Sequence, residues 1–247
     1  MRVAVLTVGD EILAGDTVNT NATWLATQVD ERGGSVRRIL TVPDDRSVIA
    51  ETVRDWHAAF DAVVVTGGLG HTPDDVTMDA VAAALDRDLA VDDEVRDRLR
   101  EKAREFAAEN PELTDEYDLE MDLDAAATLP AGSRPLLTDA GWAPGCVVEN
   151  VYVLPGIPEE MKATFAVVAD EFGGDAVAET LYTPAPEGAL GSVLEGVRER
   201  FDVAVGSYPG RDGDPGRLKV TGTDPDAVAD AAAWLRDRVE VVESDEE

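Results

Sequence analysis

The sequence predicts an α/β protein in which a doubly wound, mostly parallel sheet is followed by a small α+β domain. Short apolar runs alternate with helical periodicity over the first two thirds of the chain, an order typical of right-handed strand–helix–strand units. Two runs, Val3 to Val8 and Ala62 to Thr66, are apolar almost throughout, as in strands buried on both faces of a parallel sheet. The order changes after Gly173-Gly174, so we predict domains of residues 1–173 and 174–247.

Local patterns predict each element of the first domain. Apolar residues recur at helical spacing, as at Ile49, Val53, Trp56 and Phe60, and glycine or proline marks the ends of most segments. The interleaved Arg and Glu residues between Asp92 and Glu109 predict an exposed, ion-paired helix. The predicted strands are Val3 to Val8, Val36 to Val42, Ala62 to Thr66, Pro135 to Thr138, Cys146 to Glu149 and Val151 to Leu154, and the predicted helices are Asn21 to Glu31, Arg46 to Phe60, Asp75 to Leu85, Asp92 to Glu109 and Pro158 to Glu171, with residues 110–127 irregular.

The second domain is predicted as strand, helix, strand, turn, strand and helix. The Gly/Pro-rich turn after Ser207 favours a hairpin connection, with an arginine between Arg211 and Arg217 directed at a bound phosphate as the alternative. The predicted elements are Ala178 to Thr183, Ala189 to Phe201, Val203 to Ser207, Arg217 to Thr223 and Pro225 to Val239, followed by an acidic tail from Glu240 to Glu247.

Composition restricts the class of protein. The chain has 52 acidic and 21 basic residues, a formal net charge of −31, which argues against nucleic acid and anionic membranes as partners. The acid is spread over all the predicted helices, and such a coat suits a cytosol with molar salt, so we infer a halophilic source. No apolar run has the length of a signal peptide or a membrane span, and we expect a cytoplasmic protein. The single cysteine, Cys146, excludes an internal disulfide.

The segment that predicts most about function runs from Thr66 to Thr77 and reads Thr-Gly-Gly-Leu-Gly-His-Thr-Pro-Asp-Asp-Val-Thr. A strand that enters a glycine loop and then a helix start offers backbone N–H groups and a helix dipole to a phosphate. Asp74 and Asp75 would repel that phosphate unless a divalent cation bridges carboxylate and phosphate oxygens. We therefore predict a metal-assisted site for a phosphate-bearing ligand. A capping box from Thr72 to Asp75 is the alternative, but it leaves the three glycines unexplained.

Two further segments are predicted at the same edge of the sheet, where the carboxyl ends of parallel strands form the ligand crevice. Asp10 and Glu11 follow the first strand; they either complete a metal site with Asp74 or Asp75 or simply form a turn. Asn21 is either a helix cap or an amide that contacts the ligand. The stretches Gly141 to Gly145 and Leu154 to Met161 either form a wall of the crevice or are explained by turn chemistry alone.

These residues carry a resemblance to a known family. The motifs resemble those of the competence/damage-inducible protein A (CinA) family over residues 1 to about 170, and the first domain is then similar to the molybdopterin-binding MoaB/Mog fold. The matching stretches are Gly9-Asp10-Glu11-Ile12-Leu13-x-Gly15, Asn21, Thr66-Gly67-Gly68-Leu69-Gly70-x-Thr72-x-Asp74-Asp75-x-Thr77, Ala143-Pro144-Gly145 and Leu154-Pro155-Gly156-x-Pro158-x-Glu160-Met161.

The resemblance implies a site for a nucleotide-like or pterin phosphate. Relatives include enzymes that adenylylate molybdopterin and others that hydrolyse the pyrophosphate of ADP-ribose or FAD with a divalent metal, Mg²⁺ being our expectation here. Longer members add a nicotinamide-nucleotide amidase domain, which we expect to be absent, and a homo-oligomer is expected by analogy. His71 stands where the family usually has proline, and it is either a proton-shuttling, ligand-contacting residue or an exposed turn residue.

The sequence thus predicts a metal-dependent nucleotide pyrophosphatase, with a non-catalytic binding protein or a molybdopterin adenylyltransferase as the alternatives. A serine hydrolase elbow and a P-loop lysine are both missing from the sequence. The predicted catalytic residues are Asp74, Asp75 and His71; the predicted metal ligands are Asp10, Glu11, Asp74 and Asp75; and the predicted ligand-binding residues are Gly9, Asn21, Thr66, Gly67, Gly68, Gly70, Thr72, Thr77, Pro155 and Gly156.

Overall fold

The structure, a computed structural model, describes residues 1–70, 72–112, 122–210 and 214–243. They form two compact units, one of Met1–Glu31 and Ser35–Gly173 and the other of Arg32–Gly34 and Gly174–Glu247. His71 lies outside the described residues, so its predicted role has no structural counterpart here. Arg211, parts of the predicted irregular stretch 110–127 and the end of the predicted tail also lie outside them.

The first unit is built on a six-stranded, mostly parallel sheet, which confirms the predicted fold class. Its strand order is β2-β1-β3-β8-β7-β6; β1, β2, β3 and β8 are mutually parallel, whereas β6, β7 and β8 are joined by antiparallel pairings. A separate antiparallel pair, β4 with β5, was not predicted. The bounds are β1 Arg2–Val8, β2 Ser35–Val42, β3 Ala62–Thr66, β4 Leu89–Val91, β5 Thr128–Pro130, β6 Arg134–Leu136, β7 Gly145–Val148 and β8 Val151–Leu154.

Helices cover both faces of this sheet. Alternate residues of β1 enter different cores, with Leu6 in one apolar cluster and Val5 in the other, which is the arrangement of a doubly wound sheet. Cys146 is fully buried, and desolvation raises the pKa of its thiol to about 12. The helices are α1 Asp10–Ala14, α2 Thr20–Glu31, α3 Arg46–Ala59, α4 Thr77–Ala84, α5 Asp93–Glu109, α6 Leu123–Ala126 and α7 Pro158–Val168, the last continued by a short 3₁₀ helix, Ala169–Phe172.

The second unit is a small α+β domain, as predicted. Its three strands form an antiparallel sheet of order β10-β11-β9, and the β10–β11 pairing is the hairpin expected from the Gly/Pro-rich turn. Its elements are β9 Val177–Thr183, α8 Glu187–Arg200, β10 Ala204–Tyr208, β11 Gly216–Gly222 and α9 Pro225–Arg236. Among the described residues of the chain, no helix has the length and apolar character needed to cross a membrane.

Candidate functional site

A cleft of about 460 Å³ lies in the first unit, where β1, β3 and β8 end. Its volume is that of an ordinary small-molecule site. The segments after the three strand ends supply most of its surface, as the carboxyl-edge rule predicts for an α/β sheet. The predicted site residues that line it are Gly9, Glu11, Asn21, Thr66, Gly67, Gly68, Gly70, Asp74, Asp75, Pro155 and Gly156. Asp10, Thr72 and Thr77 do not belong to its lining.

Glycine is required where the loop after β3 meets the ends of the neighbouring strands. Gly67 adopts a φ of 103°, and a Cβ at this position would overlap the carbonyl oxygen of Val8. Its N–H donates to the Leu154 carbonyl at 3.2 Å, so Gly67 ties the ends of β1 and β8 to the loop. Gly68 has a φ of 64°, and a Cβ there would overlap the hydroxyl of Thr77. The glycines thus allow three backbone segments to converge on the cleft.

Asp75 holds the glycine loop in shape. Its Oδ1 accepts the N–H of Gly70 at 2.7 Å, and its Oδ2 accepts the N–H and the hydroxyl of Thr72 at 2.9 and 2.6 Å. The alternative capping box is wrong, because the helix begins at Thr77 and Val76 is its N-terminal cap residue. Thr72 and Asp75 form their hydrogen bonds within the loop. The helix therefore begins two residues later than predicted.

Thr77 supports the loop from the protein interior. Its side chain is fully buried, its hydroxyl donates to the Gly67 carbonyl at 2.9 Å, and its N–H donates to the Gly68 carbonyl at 3.2 Å. No hydrogen bond among the described residues uses the N–H groups of Gly68 or Leu69, which both line the cleft. These two donors are therefore available to an anionic ligand.

Asn21 presents an unsatisfied acceptor in the cleft. Its side chain is 8% exposed, and its Nδ2 donates to the Gly156 carbonyl at 2.7 Å, which fixes the orientation of the amide. The Oδ1 atom has no hydrogen-bond partner among the described residues. The predicted alternative of Asn21 as a helix cap is wrong, since Asn19 precedes the helix and its Oδ1 accepts the N–H of Ala22 at 3.1 Å. A ligand N–H or O–H would satisfy Oδ1.

Carboxylates dominate the charge of the cleft. Within the described part of the chain, no Arg, Lys or His lines it, whereas five acids do, namely Glu11, Asp44, Asp74, Asp75 and Glu160. Contacts with the Thr72 hydroxyl and with the backbone N–H of Asp74 itself lower the pKa of Asp74. The Thr72 proton itself is donated to Asp75, at 2.6 Å. The cleft is thus strongly negative.

Asp44 is a site residue that the sequence prediction missed. It lies just after β2, its Oδ2 accepts the N–H of Asp10 at 2.9 Å, and its Oδ1 faces Gly68. Partial burial raises the pKa of Asp44, the Asp10 hydrogen bond opposes this, and the charges of Asp10, Glu11 and Asp74 raise it further. The edge rule that selected Asp10 and Glu11 after β1 would have found Asp44 after β2.

These carboxylates suit a hard divalent cation in type but do not form a ready coordination site. Among the described residues, no group of three or more His, Cys, Asp or Glu side chains is placed to hold a metal ion. Mg²⁺ is commonly held by one or two carboxylates together with phosphate oxygens of a substrate. The donor set therefore fits a cation that enters with an anionic ligand better than one bound permanently.

Each of the two units matches a different protein family. The family described as "Probable molybdopterin binding domain" matches residues 4–173, and the family described as "FAD synthase, middle domain" matches residues 175–245.

Relatives span nearly the whole chain. A protein of Archaeoglobus fulgidus is 36% identical over 235 residues, covering 94% of this chain and 95% of the relative. A protein of Pyrococcus furiosus is 34% identical over 253 residues, covering 96% and 97%. A solved structure, the protein CinA with unknown function from Thermoplasma acidophilum, is 32% identical, with a TM-score of 0.59, and the match covers 69% of this chain and 97% of that one.

Proposed function

The chain belongs to the family defined by the molybdopterin-binding domain, and from this premise we propose that its cleft binds a phosphate-bearing pterin or nucleotide and, with a divalent cation, hydrolyses a nucleotide pyrophosphate. ADP-ribose and FAD are the substrates we would test first. The likeness to CinA, at 32% identity over 97% of that chain, supports placing the protein among CinA-type members of the family.

One observation carries the proposal: a cleft with two available backbone donors is lined by five carboxylates and, among the described residues, no basic side chain. The N–H groups of Gly68 and Leu69 suit a phosphate. The carboxylates would repel the same phosphate. A divalent cation that binds both resolves the conflict, and Glu11 and Asp74 are the acids we propose to hold it. When bound, Mg²⁺ would withdraw charge from the pyrophosphate oxygens.

The remaining steps are assigned to side chains and backbone amides of the cleft. Asn21 Oδ1 accepts a hydrogen bond from an N–H or O–H of the ligand, and the Gly68 and Leu69 amides steady the phosphate charge. Asp44, with its raised pKa, takes the proton from the attacking water at Oδ1. The water oxygen bonds to one phosphorus, the bridging oxygen leaves with the other phosphate, and a nucleoside monophosphate and a second phosphomonoester result.

The first test is the release of AMP from ADP-ribose and from FAD, followed by mass spectrometry with and without MgCl₂. We expect Asp74→Asn to reduce kcat/KM by about 100-fold with little change in the unfolding midpoint, because the Asp74 side chain is exposed and the hydrogen bonds that hold the loop are accepted by Asp75. Asp55→Asn, the same change at an exposed position of α3, is the matched control and should retain full activity.

Asp75→Asn gives a different expected result. An amide nitrogen cannot accept the hydrogen bonds that the replaced oxygen accepts, so the variant should lose both thermal stability and activity. If saturating Mg²⁺ and a panel of pyrophosphate nucleotides give no turnover by the wild type, the hydrolase proposal is wrong.

Binding without turnover is the second candidate, and two observations favour it. Both carboxylate oxygens of Asp75 are engaged by the loop, and the described acids form no ready metal site. This candidate predicts a ligand-induced rise in the unfolding midpoint with no product. A molybdopterin adenylyltransferase would instead consume ATP in the presence of molybdopterin, which the same mass spectrometry would detect.

A further inference from the structure

Residues 139–143 form a segment at one side of the cleft that we call the wall. Three residues at successive turns of one face of helix α5 contact this segment. Arg98 pairs with the Asp139 carboxylate, and Lys102 Nζ donates to the carbonyls of Asp139, at 2.8 Å, and of Gly141. The ring of Phe106 meets the ring of Trp142 edge to face at 5.8 Å between centroids. Residues four apart lie on one side of a helix, so the three contacts act together on residues 139–142. The next residue, Ala143, lines the cleft.

Lys102 differs from Arg96 and Arg100 of the same helix. Arg96 and Arg100 pair with acids three residues earlier, as expected for an ion-paired face, whereas Lys102 is half-buried and also lies 5.7 Å from the centre of the Trp142 ring. It is one of three lysines in a chain with eighteen arginines. Its compact ammonium has three donors and donates to two neighbouring backbone carbonyls.

Glu160, at the start of α7, also contacts Gly141, on the side away from Lys102. Its carboxyl group fills the space that a Cβ of Gly141 would occupy, and Gly141 has a φ of 68°. Glu160 also lines the cleft. Gly141 is therefore held between the Lys102 ammonium and the Glu160 carboxylate. Burial lowers the pKa of Lys102, and the charges of Glu160 and Asp139 oppose that effect.

We propose that Lys102 is a positioning residue that fixes the 139–143 wall and, across Gly141, offsets part of the charge of Glu160, so that this side of the cleft tolerates an anionic ligand. The inference rests on the proposed function, because it concerns the same cleft. In a site lined by five acids, an uncompensated Glu160 would add repulsion close to the ligand. Lys102 touches no ligand itself and acts through the wall and through Glu160.

The test is calorimetric titration of inorganic pyrophosphate with MgCl₂ into the full chain. We expect Lys102→Met to weaken binding by about tenfold, a typical coupling between charged neighbours. Glu160→Gln alone should bind within about threefold of the wild type, and the double variant Lys102→Met/Glu160→Gln should recover that affinity. Lys162→Met, which removes the same charge at an exposed site two residues from Glu160, should leave binding unchanged.

Hydrogen exchange of the ligand-free protein tests the contact of Lys102 with the wall independently of binding. Amides of β6 and β7, the paired strands on either side of the wall, should exchange at least about tenfold faster in Lys102→Met, since the segment between them loses two hydrogen bonds. If the double variant binds as weakly as Lys102→Met, or if Lys102→Met leaves affinity and exchange unchanged, the inference is overturned. If the wild type binds neither inorganic pyrophosphate nor ADP-ribose in the same titration, the proposed function fails instead, and the exchange measurement still decides whether Lys102 holds the wall.

Discussion

At the residue scale, the neighbouring aspartates Asp44 and Asp45 have pKa values that are shifted in opposite directions. Asp44 is half-buried among other carboxylates, and desolvation followed by those charges raises its pKa above the ordinary value of 3.8. Asp45 caps α3, and hydrogen bonds from the Ser47 hydroxyl and then the Val48 and Ser47 N–H groups lower its pKa. Ionisation of Asp44 therefore destabilises the folded state, whereas ionisation of Asp45 stabilises it.

This contrast predicts a pH-dependent gain of stability for Asp44→Asn. Because the folded-state pKa of Asp44 is raised, its ionisation penalises the fold; the penalty is absent below about 3.8 and complete above the raised value. Asp44→Asn should therefore raise the free energy of unfolding at pH 7, while the amide oxygen can still accept the Asp10 N–H. The gain should vanish near pH 4. Urea unfolding at several pH values measures it.

Asp45→Asn is the matched control, since it removes the same charge one residue away. It should lower stability at pH 7, and this loss should shrink as the pH falls through the lowered pKa of Asp45. If the stability of both variants, relative to the wild type, changed with pH in the same direction, the opposite pKa shifts of Asp44 and Asp45 would be contradicted. Activity is expected to fall in Asp44→Asn alone, so the gain of stability and the loss of function would occur in one variant.

At the element scale, the glycine loop depends on a contact that only its backbone permits. A Cβ at Gly67 would overlap the Val8 carbonyl, whereas Gly15, with a similar positive φ of 80°, has no heavy atom within 4 Å of an added Cβ. Gly15→Ala should cost about 1 kcal/mol, the price of a left-handed conformation alone. Gly67→Ala should cost about 2 kcal/mol more, because the loop must also move away from β1. Urea unfolding of the two variants compares these costs, and equal values would contradict the contact.

The elements that could be predicted from sequence are those with strong apolar patterns. Both β1 and β3 are buried almost throughout, and their continuous apolar runs predicted them nearly to the residue. Helix α1 was predicted as part of a loop, because its five residues bury no side chain and so leave no periodicity. The three-residue strands β4 and β5 were missed for a related reason: their pairing joins residues about forty apart in sequence, which no local pattern reports.

At the scale of the whole molecule, the topology of the sheet could be predicted from the sequence, but contacts between segments distant in the sequence could not. Alternation of strands and helices sufficed for the mostly parallel sheet and for the edge at which the cleft lies. The edge rule could have found Asp44 after β2, but a high background of surface acid obscured it. The sequence did not reveal that Lys102, on a helix with an ordinary ion-paired pattern, would reach residues 139–141, because that contact depends on how distant segments pack.

The net charge of −31 leads to a prediction for the molecule as a whole. We propose that the acidic coat adapts the protein to high salt, because like charges destabilise the compact state and the Debye length falls from about 10 Å at 0.1 M to about 3 Å at 1 M salt. The urea midpoint should therefore rise between 0.1 and 1 M KCl and then level off.

A variant with four exposed acids neutralised should show a smaller rise. Glu51→Gln, Asp55→Asn, Glu101→Gln and Glu109→Gln suit this purpose, because these side chains have no ion-pair or hydrogen-bond partner among the described residues. Sucrose serves as the control, since it favours compact states without screening charge. Stabilisation that continues to grow beyond 1 M KCl, and that is equal in wild type and variant, would mean that salt acts through solvent exclusion rather than through the charge of the surface.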